Sequence, residues 1–185
     1  MVDPFSMGAF GALAATEGIK FLYGQAAEVL RRWRDRRAGR QADSQRPIPT
    51  KGSETVLEGS VEAPAVNFEI LDRLHQDIKQ LAGVLGPYAG GLEVPDSHDQ
   101  DLALAADGLR RALEAVYGQR ITFKGENRAA SGPIVIGRAE TDRVAGDVAG
   151  LRARLVRSGR IETSATAKEV LEGGKVSGGE FDTIG

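Results

Sequence analysis

The chain has 185 residues, a formal charge of −2 and no cysteine, which excludes disulfides, thiolate metal sites and thiol catalysis. Hydrophobic residues make up 41% of it but aromatics only 5%, so its core rests on Leu, Val, Ile and Ala, as in helices and stacked repeats rather than an aromatic-rich sandwich. Two His leave little for a metal site.

The small net charge hides an asymmetry. Residues 1–40 carry seven Lys and Arg against four Asp and Glu, residues 41–120 seven against thirteen, and residues 121–185 ten against nine. A basic head on an acidic middle implies internal pairing, or an anionic partner for the head alone.

In chain order, Phe5 to Arg37 reads as one long helix. Asp3-Pro4 precedes it, and Ala15, Ile19, Leu22, Ala26, Val29 and Trp33 recur at alternating spacings of four and three, the apolar stripe of a helix. Residues 7–16 carry no charge, but that run is half of the ~20 residues a spanning helix needs, and no basic n-region of a secretory signal precedes it. Small residues four apart (Gly8/Ala12, Gly11/Ala15, Ala14/Gly18) permit close helix contact. The helix ends in Arg31, Arg32, Arg34, Arg36, Arg37 and Arg40, with Asp35 opposed. Such an end complements the helix dipole; the functional reading is contact with an anionic surface, lipid headgroups above all. On that reading Ile19, Leu22, Val29 and Trp33 serve insertion or packing. Nucleic acid is disfavoured, because Trp33 alone interleaves with the arginines and the rest of the chain is not basic. The expected place is the cytoplasm, with recruitment to the inner face of a membrane.

Residues 38–66 read as a linker broken by Pro47, Pro49 and Pro64, with Val56, Leu57 and Val61 as a short strand or docked strap. A second helix runs from Asn67, a good N-cap, to Leu85, where Gly86-Pro87 stops it. Its stripe is Phe68, Leu71, Leu74, Ile78, Leu81 and Leu85, with His75 at the edge. Ser97-His98-Asp99-Gln100 fits a capping box for a third helix that carries Leu102, Ala105, Leu109, Leu113 and Val116 and ends near Gly118. Asp96, His98 and Asp99 read as helix-start chemistry rather than a metal cluster. Ile121-Thr122-Phe123-Lys124 reads as the first strand of the tail.

The last third is written twice. Val135 matches Ile161, Ala139 matches Ala165 and Val144 matches Val170, an offset of 26; Val148 matches Val176, Gly150 matches Gly178 and Val156 matches Ile184, an offset of 28. Gly173-Gly174 lengthens the second break. Periods of ~20–50 residues mark stacked repeats. Apolar alternation slips phase before Val144 and Val170, which suits a coil that bends between short strands. Two rungs of a β-solenoid follow, with Ala139, Val144, Ala153, Val156, Ala165, Val170, Phe181 and Ile184 inward and charged residues outward, able to ladder between rungs. Two rungs fall short of the ~3 repeats usually needed for stability, so the tail is expected to stack on a second copy, a partner or the helices; a small closed β-roll is the alternative. The expected assembly residues are Val135, Ala139, Val144, Val148, Val156, Ile161, Ala165, Val170, Val176, Phe181 and Ile184.

The fold class expected is therefore α+β: a small N-terminal α-helical bundle with a long first helix, and a C-terminal β-solenoid-like repeat. Its segments are 1–40 (helix), 41–66 (linker), 67–118 (helical hairpin) and 121–185 (tail). Gly173-Gly174-Lys175 fails as a phosphate loop, since Glu169 stands where its first glycine belongs. No nucleophile elbow or zinc-protease motif occurs. No catalytic residue, cofactor or metal is expected, and the function is non-enzymatic self-assembly, with a soluble adaptor of fixed oligomeric size as the alternative.

The plan resembles fungal HET-s-like proteins, in which a helical head joins a tail that folds as a two-rung β-solenoid amyloid. The opening M-V-D-P-F-S-M-G-A-F-G-A-L-A-A, residues 1–15, resembles the start of the heads called HeLo, whose role bacterial Bell domains share; the doubled residues 135–184 resemble the solenoid. The chain is also similar to actinobacterial proteins with a helical front and a V-x-G-type tail. The resemblance implies signalled assembly followed by membrane permeabilisation. Here the first helix has more glycines and an Arg-rich end, the helical part is shorter, and the tail is not Asn-rich.

Overall fold

The computed structural model describes residues 12–39, 53–61, 65–96, 98–156 and 160–184. The expected helical residues 5–11, and Arg40 and Ser97, lie outside them. The chain is α+β and divides into two compact units between Ser131 and Gly132.

The first unit is a three-helix bundle of α1 (Ala12–Arg37), α3 (Phe68–Ala89) and α4 (Gln100–Tyr117), with a single turn α2 (Ser53–Val56) in the strap between α1 and α3. The apolar stripes meet as their spacing dictates. Ile19, Leu22 and Val29 of α1, Leu71, Ile78 and Leu85 of α3, and Leu109, Leu113 and Val116 of α4 are all 0% exposed. Burying each such side chain is worth about 1.5–3 kcal/mol. Tyr117 donates its buried hydroxyl to Gln25 Oε1 at 2.9 Å, joining α4 to α1, and burial pushes its pKa far above the ordinary phenol value.

The caps explain the helix ends. Asn67 Oδ1 accepts from the backbone N–H of Glu69 and Ile70. At α4 the cap is Asp99, whose carboxylate accepts from Leu102 N–H at 2.9 Å, so the box expected at Ser97 is displaced by two residues. Gly118 ends α4 in the left-handed region at φ 61°, a conformation that favours glycine. The expected stop at Gly86-Pro87 is overturned: α3 continues to Ala89 with Pro87 inside it. Proline's fixed φ is helical, and near a helix end it forfeits a single backbone bond; Gly90 N–H closes the next turn on Gly86 O at 2.9 Å.

The strap docks. Leu57 and Val61 are 1% and 4% exposed, and Leu57 bridges Phe123 in antiparallel sense. Residues 121–131, expected in the tail, belong to the helical unit. Ile121 and Phe123 are core residues, and the Phe123 ring fills the space over Gly18, where a Cβ would stand 3.5 Å from it. A buried charge cluster fastens this segment. Arg110 of α4, 0% exposed, donates to Asp107 and to Glu126, and Glu126 also accepts from Phe123 N–H at 2.9 Å. Glu114 accepts from Ile121 N–H at 2.8 Å and pairs with Arg128. β1 (Gln119–Arg120) lies between α4 and this segment in sequence.

The second unit holds β2 (Gly132–Val144), β3 (Asp147–Ala149), β4 (Arg152–Val156), β5 (Arg160–Val170), β6 (Lys175–Ser177) and β7 (Glu180–Ile184). The two copies pair in parallel, strand on strand: β2 with β5, β3 with β6 and β4 with β7. The register is the repeat offset. Val135 faces Ile161, Ala139 faces Ala165 and Val144 faces Val170; Val148 faces Val176 and Val156 faces Ile184. The two extra residues of the second copy form a turn in which Gly173 has φ 81° and Gly174 N–H bonds Leu171 O at 2.9 Å. Glycine at 174 avoids a close approach there, because a Cβ would meet Val144 O at 2.8 Å. Lys175 N–H then bonds Gly146 O, and pairing resumes.

Candidate functional site

Two surfaces carry the charge that the sequence singled out: the C-terminal end of α1 and the outer face of the tail. At the helix end, Glu28 is the organising group. Its carboxylate takes Arg31 through Nη2 at 2.8 Å and Nε at 2.9 Å, and Arg32 through Nε at 2.9 Å. Arg31 also donates to Asp35 at 3.0 Å. The hydrogen bond from Arg31, above all, holds the Glu28 carboxyl down to about 2 against the opposing effect of its partial burial. Arg32 is 3% exposed and is spent inside the unit. Arg34 donates to Leu30 O at 3.4 Å, Arg36 lies over the Phe68 ring at 4.5 Å and Arg37 over the Trp33 ring at 4.9 Å. Arg34, Arg36 and Arg37 are exposed and reach no carboxylate among the described residues.

The apolar candidates fall differently. Ile19, Leu22 and Val29 have no exposed surface; their stripe packs the bundle. Trp33 is half-buried. Its indole N–H donates to Asp72 at 2.8 Å, and its ring stacks on His75 with centroids 4.2 Å apart. Sequence reasoning missed Glu28 as the counter-charge, although its spacing of three and four from Arg31 and Arg32 is the helical pairing distance. It also left His75 at the core edge without its Trp33 partner, which no local spacing marks.

In the tail, burial alternates and then slips. Thr163, Ala165 and Ala167 are half-buried between exposed Ser164, Thr166 and Lys168, and then Lys168 and Glu169 are both exposed; Ala139 and Thr141 repeat the pattern before Asp142 and Arg143. Both slips come before the expected valine. The outward charges bond from copy to copy: Arg143 to Glu169 at 2.8 Å, Lys168 to Asp142 at 2.6 Å and Arg152 to Glu180 at 3.0 Å. Lys175 first, then Ser177, hold the Glu180 carboxyl below the ordinary carboxylate range. Val148 and Val176 are half-buried. Val144 is 2% exposed, whereas Val170, expected to point inward, is 50% exposed. Val144 has the second copy over it, and Val170 is in the last copy. The side chains of Val135, Ala153, Val156, Ile161, Phe181 and Ile184 lie outside the described residues.

Among the described residues no group of three or more His, Asp or Glu stands ready to hold a metal ion. Asp96 accepts from the backbone N–H of His98 at the surface, and Asp99 is occupied by its cap. No helix among them is long and apolar enough to cross a membrane. Compared with protein-family models, curated proteins and solved structures, the chain matches none.

Proposed function

We propose that this is a non-enzymatic self-assembling protein whose tail, a two-rung β-solenoid, adds copy upon copy, while its helical unit engages an anionic membrane or a partner protein. The observation that carries the reading is the alternation of charge along the strand register. Asp142 stands under Lys168, Arg143 under Glu169, Asp147 under Lys175 and Arg152 under Glu180. At the same offset Arg154 matches Asp182 in sequence. None of these columns sets like charge on like.

A second chain whose first rung lies on Glu169 and Glu180 brings Arg143 and Arg152 to them, so every new interface repeats the bonds inside one chain. Identical rungs would instead pile Arg on Arg, and directly opposed like charges destabilise a sheet. The exposed Val170 offers the place that Val170 itself occupies over Val144. Unpaired strand edges template such addition, and a head-to-tail contact that does not close makes a filament. Arg34, Arg36 and Arg37 supply the positive surface of the helical unit. The resemblance to HET-s-like proteins points the same way.

One observation favours a second reading, a soluble adaptor of fixed oligomeric size: the first helix spends Ile19, Leu22 and Val29 on the bundle core. Light scattering of the full-length protein across a concentration series, with negative-stain images, separates the two. Polydisperse growth with filaments is the expected result. One sharp oligomer at all concentrations favours the adaptor, and a clean monomer overturns both.

A further inference from the structure

The helical unit has an open groove of about 660 Å³ along α1 and α3, within the ~300–1,000 Å³ of small-ligand sites. The helices run antiparallel along it: Trp33, late in α1, bonds Asp72, early in α3, and Tyr23, earlier in α1, lies against Gly86, late in α3. This order gives the groove two ends of different chemistry. Tyr23, Ala27, Ala82, Gly83 and Gly86 make one end apolar, while Arg34, His75, Gln76 and Lys79 line the other. Among the described residues no carboxylate lines it, and neither Arg34 nor Lys79 has a carboxylate partner. The Trp33–His75 stack forms a flat wall beside these cations.

The groove is open at Gly83, which is exposed. A Cβ there would meet nothing within 4 Å, so packing does not demand this glycine, which weakens a helix interior. Tyr23 to Arg34 on α1 and His75 to Gly86 on α3 line the groove, and each stretch runs about 16 Å, a length suited to an extended acyl chain.

We propose that this groove binds a single-chain fatty carboxylate, its alkyl chain over Gly83 and Gly86 and its carboxylate on Arg34 and Lys79. The pairing is charge-assisted at one end and apolar burial along the rest. The site lies wholly within the helical unit, so it holds or fails independently of assembly through the tail.

Trp33 is the sole tryptophan of the chain and reports on the groove directly. Dodecanoate, titrated below its micellar concentration into the full-length protein, is expected to change Trp33 emission saturably, with dodecanol binding about tenfold more weakly for want of the charge. Replacing Arg34→Gln and Lys79→Gln together should weaken dodecanoate by about tenfold and leave dodecanol unchanged. Gly83→Leu should crowd the groove and weaken both, with helical circular dichroism retained. The proposal is overturned by a non-saturable response, by unchanged dodecanoate affinity in Gly83→Leu, or by saturation with an acidic amphipathic peptide or anionic vesicles but not with dodecanoate.

Discussion

The two units are held by different physics. The helical unit closes on itself: three stripes, the strap and Phe123 form one buried cluster, and its ion pairs at Arg110 are buried with it. The tail has almost nothing of the kind among its described side chains. Val144 is buried, but Val170 and Leu171 are 50% and 38% exposed, and its ion pairs lie in water. Its order comes from backbone pairing in register between the two copies. The first unit thus rests on a buried core, whereas the second rests on strand pairing and exposed ion pairs. Mutations that act in the bundle should change folding, and those on the tail should change association.

The largest effect should come from Arg110→Ala. Asp107 and Glu126 have side chains 6% and 4% exposed. Removing their shared cation leaves Glu126 buried and uncompensated, and Asp107 with only the half-exposed Arg111, a loss of about 3–5 kcal/mol. Denaturant unfolding followed through Trp33 measures it. A loss under about 1 kcal/mol would mean that the cluster is solvated and does not fasten residues 121–131.

Next comes Gly174→Ala in the tail. Its Cβ would press on Val144 O at 2.8 Å and Leu171 O at 3.0 Å, so the turn that restores register must shift, at about 1–3 kcal/mol. Hydrogen exchange should show lost protection at Lys175 and Glu180 with the helices unchanged. Retained protection there would show that the turn adjusts without moving the strands.

Glu28→Gln should cost about 1–2 kcal/mol at neutral pH, since Arg31 and the buried Arg32 each lose one charged hydrogen-bond partner. The carboxyl is lowered from 4.5 to about 2. A depressed carboxyl stabilises the fold above its unfolded pKa and loses that contribution as pH falls through the folded one. The gap between wild type and variant should therefore be full at pH 7, shrink below about pH 4.5 and vanish near pH 2. A gap independent of pH would assign the loss to packing.

Much of this was legible because it is periodic. The 26- and 28-residue offsets became the strand register, since parallel pairing of copies requires equivalent residues to face one another. The stripes became the core for the same reason. What was not legible depends on contacts across distance or on competing local bonds. Residues 121–124 have the composition of a strand, yet Phe123 packs on Gly18, and composition cannot say which unit claims a ring. Ser97 and Asp99 both cap well, and two residues of phase decide between them. The Arg-rich end read as free charge because Glu28 lies one turn before it.

The smallest change in stability should carry the largest change in association. Arg143→Glu breaks one exposed pair, worth under about 1 kcal/mol within a chain. It also turns the 143/169 column from alternating signs into Glu on Glu at each interface of a stack, so assembly should slow sharply at low salt and recover partly as salt screens the repulsion. The exchange Arg143→Glu with Glu169→Arg restores alternation inside every chain and between identical chains. The doubly exchanged protein should assemble as the wild type does. A mixture of the two should sort, because Glu169 of a wild-type chain would face the glutamate that Arg143→Glu introduces in an exchanged one. Light scattering of each protein alone, then co-sedimentation of differently labelled chains, reads both effects. Free mixing would mean that the column does not continue from chain to chain, and that the copies associate elsewhere.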